Sequence, residues 1–120
     1  MEEPKATWHR WDDMPKEQVN DLLARRLITG ERMMLAHVYL DKGSIVPRHA
    51  HENEQVSYIV SGALKFVMDD REIVVRGGEL IQIAPNVPHA AEVVEDCVAI
   101  DVFSPVRQDW IDKTDTYFRR

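Results

Sequence analysis

Turn signals cut the stretch from Arg26 to Phe103 into short apolar and β-branched runs, and that spacing is what most limits the fold. Arg26–Thr29 precede Gly30, and Arg32–Leu40 precede Asp41-Lys42-Gly43. Gln55–Val60 precede Ser61-Gly62, and Ala63–Met68 and Glu72–Arg76 flank Asp69-Asp70-Arg71. Gly77-Gly78 opens Leu80–Ile83, while Ala90–Val94 and Val98–Phe103 flank Glu95-Asp96. Runs of this length bounded by Gly, Asp and Ser read as strands. Eight or so of them predict an all-β, closed or sandwiched antiparallel architecture. Residues 17–25 fit a short helix or a strand equally well. Only the tail, Arg107–Tyr117, reads as helical. Trp8 and Trp11, set among polar residues, predict an irregular N-terminal arm packed on the domain or on a second subunit.

With 120 residues the chain suffices for one cored domain and is too short for two ordinary ones. A formal charge of −6 and the lack of a basic stripe give a nucleic-acid partner no electrostatic support. No apolar run approaches membrane-spanning length, and Met1-Glu2-Glu3-Pro4-Lys5 lacks the pattern of a signal peptide. Cys97 is the single cysteine, so no internal disulfide forms; its apolar run predicts a buried, inert thiol. A cytoplasmic protein is the expectation.

Four residues carry the chemistry. His49 and His51 are two apart, so on an extended strand both rings leave one face and can grip one cation. Gln55 follows four residues on and faces inward if the strand bends or bulges. His89, from a separate hairpin, closes a mononuclear site. Glu54 is the alternative third ligand if the register differs by one; Glu52 and Glu54 otherwise read as mouth or surface residues. His9 and His37 have no partner pattern and read as structural. A barrel explains the grouping, because its narrow interior lets side chains from several strands meet.

These spacings resemble the cupin superfamily, small β-barrels of jelly-roll topology. Gly43, His49, His51, Gln55 and Gly62 fall on the first cupin motif, with glutamine in place of glutamate. Gly78 and His89 fall on the second, with Ala84 for its proline and Asn86 for its glycine. Asn tolerates the positive φ of that turn. The resemblance spans roughly residues 32–103. It implies an arm with the first strand or strands over 1–30, a barrel over 31–106 and a partly helical tail over 107–120. The ending from Asp101 to Trp110, and Gln55 itself, are similar to the KdgF group, although His51 and Gln55 stand one residue closer than in some members. KdgF proteins convert unsaturated monouronates to a linear keto form. The likeness implies metal ligands at His49, His51, Gln55 and His89, and essential non-ligand residues at Asp101, Phe103 and Arg107.

Physical chemistry supports an anionic substrate. Three neutral imidazoles and one amide oxygen cancel none of a divalent ion's charge, so such a site attracts a carboxylate or enolate. One divalent ion per chain is expected, with nickel, zinc, manganese and iron all open. On the last strand, residues 97, 99, 101 and 103 share one face. If Val98, Ile100 and Val102 pack between layers, Asp101 and Phe103 look into the cavity. Arg107, beyond Ser104-Pro105, could fold back over the mouth, and its planar fork suits a carboxylate. Asp101 pairing simply with Arg107 is the structural alternative. Tyr58, Met33 and Met34 read as core, and Arg25 and Arg26 as a solvated pair, with reach into the cavity as the alternative. A redox cupin such as a dioxygenase, or a non-enzymatic binding cup, remain as other functions. A homodimer is the expected assembly.

Overall fold

The computed structural model describes residues 5–115; the Tyr117 end of the expected tail helix lies outside that range. Eight strands and one short helix follow in order: β1 (Glu17–Asn20), β2 (Leu23–Thr29), β3 (Met34–Leu40), β4 (Ile45–His49), β5 (Glu54–Met68), β6 (Glu72–Arg76), β7 (Leu80–Ile83), β8 (His89–Ser104) and α1 (Gln108–Ile111). All pairings are antiparallel. The ambiguous 17–25 segment is a hairpin, β1 against β2, with Glu17 opposite Arg25.

Two long strands organise the barrel. β5 and β8 pair along nearly their whole length, from Glu54 opposite Ser104 to Met68 opposite His89. The first part of β5 also pairs with β7 and its second part with β6. The first part of β8 pairs with β4 and its second part with β3. Each long strand therefore serves two sheets in a jelly-roll barrel, turning between them through bulges from Ile59 to Leu64. Ser61-Gly62 and Glu95-Asp96, which read as breaks in the sequence, sit inside continuous strands. Gly62 has φ +83°, and a Cβ there would run into the Asp96 carbonyl of β8. The glycine allows two strands to cross closely at a corner.

Alternation on β3 places Met34, Ala36, Val38 and Leu40 in the core. They pack with Ile59, Leu64, Phe66, Val93, Ala99 and Phe103. Several core expectations need correction. Met33 is 51% exposed, because alternation gives its neighbour Met34 the inward position. Tyr58 is 38% exposed for the same reason, lying between inward Ser57 and Ile59. Val98, Ile100 and Val102 lie half-buried on the outer side of β8 rather than between layers, since the intervening positions already point inward. Arg25 belongs to no solvated pair; it is 0% exposed.

The arm makes a single 3-10 turn at Trp11–Asp13. Trp11 stacks on His37 with ring centroids 4.9 Å apart, and Arg26 donates to the Met14 carbonyl, so the arm lies over β2 and β3. His37 meets the Tyr39 hydroxyl at 2.7 Å, the structural role expected of it. Trp8 stays 79% exposed. Cys97 is buried, and burial pushes its thiol up to about 11, consistent with an inert side chain. Among the described residues the tail is helical over Gln108–Ile111 alone, one turn with Trp110 as its buried anchor. No described helix is long and apolar enough to cross a membrane.

Candidate metal centre

Three histidines converge where the barrel brings the two ends of the β5–β8 ladder together. His49 is the last residue of β4 and pairs across to His89, the first residue of β8. His51 stands in the loop that follows β4, so its approach to His49 comes from that loop rather than from a shared strand face. His49, His51 and His89 each offer one ring nitrogen, and these nitrogens all lie within 4.8 Å of one another. Gln55, the second residue of β5, is buried, and its Oε1 lies 3.0 Å from His51 Nε2. Glu54 and Glu52 point outward and are exposed, which removes Glu54 as a ligand.

Backbone carbonyls set the tautomers. Nδ1 of His49 donates to Pro47 at 2.8 Å, that of His51 to Asn53 at 3.0 Å, and that of His89 to Val87 at 2.9 Å. A carbonyl can only accept, so each Nδ1 carries the proton and each Nε2 keeps its lone pair. This is the outer support that metal-binding histidines use. Burial pulls His49 and His51 down to about 4 and lowers His89 as well; Arg107 pushes all three the same way. All three rings are thus neutral at pH 7. His51 then has no second proton for Gln55, and two lone pairs face each other at 3.0 Å. A cation between them resolves that clash, so the donor set fits a divalent ion.

Acid should therefore weaken this end of the barrel. Between pH 6.5 and about 4 the unfolded histidines bind protons that the folded ones refuse, so stability falls as pH falls through that window. Melting temperatures of the ion-free protein at stepped pH should show the decline. A His49→Ala variant should flatten it.

Gln55 also links this group to a carboxylate. Its Nε2 donates to Ser57 Oγ at 2.9 Å, and Ser57 Oγ donates to Asp101 Oδ1 at 2.6 Å. Ser57 has one proton and gives it to Asp101, so it must accept from the Gln55 amide. That fixes the amide oxygen toward His51. Asp101 lines the cavity, and burial raises its carboxyl to about 6, against the lowering effects of Ser57 and Arg107. Phe103 is buried and edge-on to His51, with centroids 5.9 Å apart. Arg107 also lines the cavity, but Asp109 holds its fork at 2.9 and 2.7 Å, so the simple Asp101–Arg107 pair does not form. The cavity encloses about 50 Å³, with an apolar floor that includes Leu40, Val46, Leu64 and Phe66.

The Cupin domain family matches residues 36–103. The chain belongs to the cupin family. It is 29% identical over 103 residues to the pectin degradation protein KdgF of Dickeya dadantii (strain 3937), covering 83% of this chain and 94% of that protein. KdgF from Halomonas sp. superposes with a TM-score of 0.81 at 25% identity, covering 87% of this chain and 99% of that one. An RmlC-like cupin from Shewanella frigidimarina NCIMB 400 also gives 0.81, at 28% identity over 88% and 96%.

The cupin pocket thus gathers all seven residues singled out in the sequence at one end of the barrel. It also holds residues the sequence did not mark. Ser57 looked like any polar residue in a strand, although its place two after Gln55 put it on the same face. Asn53 donates to the Pro105 carbonyl and ties the ligand loop to the tail. Trp110 lines the cavity beside Phe103, with centroids 5.0 Å apart.

Proposed function

We propose that this cupin is a metal-dependent enzyme that converts 4,5-unsaturated monouronates to their linear keto form. The observation that carries this reading is the run of contacts from His51 through Gln55 and Ser57 to Asp101. It joins an uncharged set of cation donors to a carboxylate poised near 6. Likeness to two KdgF proteins over most of the chain supports the substrate class.

His49, His51, His89 and Gln55 would hold one divalent ion, which supplies Lewis acidity toward substrate oxygens. The donor set favours no single metal among nickel, zinc, manganese and iron. Arg107 brings positive charge to the cavity and draws the sugar carboxylate. Asp101, largely ionised at pH 7, accepts the proton of the C1 hydroxyl. The C1–ring oxygen bond then breaks with its electron pair, and that oxygen remains on C5 as an enolate. Asp101 returns the same proton to C4 as the C5 enolate becomes a ketone. Atoms balance, and no redox partner is required. Phe103 walls the ring and limits water around Asp101.

A cytoplasmic homodimer completes the proposal. Free, buried Cys97 is compatible with a reducing compartment, and Tyr58, Val60 and Leu80 form an exposed apolar strip on the outer face of β5 and β7 that a second copy would cover.

The test is to incubate the purified protein with unsaturated galacturonate and follow the absorbance of the conjugated alkene, with elemental analysis of the same sample. Loss of absorbance dependent on a bound ion is expected. No loss with the ion present, or oxygen uptake with ferrous iron instead, would overturn the reading.

A further inference from the structure

Arg25 is fully buried, and one of the two carboxylates that neutralise it, Asp115, stands far along the chain. Its Nε donates to Glu17 at 2.9 Å, and its Nη1 and Nη2 donate to Asp115 at 2.8 and 3.3 Å. Asp115 is itself buried. The Arg25 guanidinium also lies 4.2 Å from the Trp110 ring centre. That indole carries a second cation, because Arg107 lies 4.9 Å from the same centre. Arg107 sits 5.1 Å from Phe103 as well, inside the cavity lining.

A buried ion pair is a poor source of stability, since desolvation offsets most of its attraction. A well-packed apolar side chain would hold the barrel together as well. What the fork of Arg25 provides is directional: its Nη1 and Nη2 together donate to the two oxygens of Asp115 in one orientation. That carboxylate lies in the same tail as Arg107, beyond α1. Between them, α1 spans a single turn and the Thr114 amide bonds back to the Asp109 carbonyl, so hydrogen bonds link residues 107–114, next to Asp115, into one segment.

We propose that Arg25 is a positioning residue which, through Asp115 and Trp110, holds the tail so that Arg107 meets the substrate carboxylate. This rests on the assignment of Arg107 as the carboxylate-binding residue. Arg25 touches no substrate. It sets affinity by fixing the direction from which a remote cation enters the cavity.

The test uses the full-length, ion-loaded protein with Arg25→Lys and Asp115→Asn. Lysine keeps the charge that Glu17 and Asp115 face but loses the fork and the stack, so the barrel stays folded. For unsaturated galacturonate, each variant is expected to raise KM about tenfold with kcat held within about twofold. In an Arg107→Ala background, Arg25→Lys should add nothing further, because both act through one contact. Unchanged KM, or full additivity in that background, would overturn the proposal. A second readout needs no turnover. With Trp8→Phe and Trp11→Phe, Trp110 is the sole tryptophan, and Arg25→Lys is expected to increase its quenching by iodide about threefold. Unchanged quenching in a folded variant would overturn the latch, while increased quenching without uronate turnover would sustain the latch and sink only the assigned reaction.

Discussion

His89→Ala is expected to lower affinity for a divalent ion by more than about a hundredfold and to abolish ion-dependent turnover with it. A hundredfold is the upper range for losing only a hydrogen-bond partner of a ligand. Removing an imidazole that the fold aims directly at the cation position should exceed it. His89 is well suited to the test. It is buried, it opens β8, and its ring lies 4.4 Å from that of His49 and 5.2 Å from that of His51. Titration of the ion-free variant with zinc or nickel by calorimetry gives the affinity. Circular dichroism verifies that the barrel persists. Unaltered affinity in a folded variant would mean the three rings pack together without sharing an ion.

Asp101→Asn should act in the opposite way on the ion and just as strongly on the reaction. Asparagine keeps the shape of the side chain and an oxygen that can accept from Ser57, so Gln55 stays oriented and the ion stays bound. What disappears is the exchangeable proton. Turnover is expected to fall by at least about a hundredfold. The same substitution should stabilise the ion-free fold at pH 7. Burial raises the carboxyl from 3.8 to about 6, so the folded chain binds more protons than the unfolded one between those values. Stability therefore drops as pH rises through that window, and the full cost is present at pH 7. A shift of this size corresponds to no more than about 3 kcal/mol, reduced by water in the cavity. Asparagine avoids it, and a higher melting temperature with lost turnover is the expected pair. Retained turnover with metal still bound would remove Asp101 from the chemistry.

The candidate metal donors and the last strand were legible because their information is local. His49, His51 and Gln55 fall within a few residues, and alternation along β8 placed Asp101 and Phe103 on one face whatever the rest of the chain did. Arg25 was illegible for the converse reason. Its carboxylate partner Asp115 and its aromatic partner Trp110 lie in the tail, and no window of sequence contains both ends of that contact. The fused strands misled for a third reason. Ser61-Gly62 has the composition of a hairpin turn, and only the neighbouring β8 backbone decides that its glycine makes a corner instead. Ser57 falls between these cases: its position was readable, but its role depended on an amide and a carboxylate from two different strands.

The ladder between β5 and β8 also implies an order of assembly. Its rungs nearest in sequence join Met68 to His89, and its farthest join Glu54 to Ser104. Zipping from the near end minimises the chain that must be looped at each step. Gln55 meets Phe103, and Ser57 meets Asp101, only as the last rungs close. The four candidate donors thus come together only when the barrel is nearly finished, so an ion held there would report completed folding and would not template it.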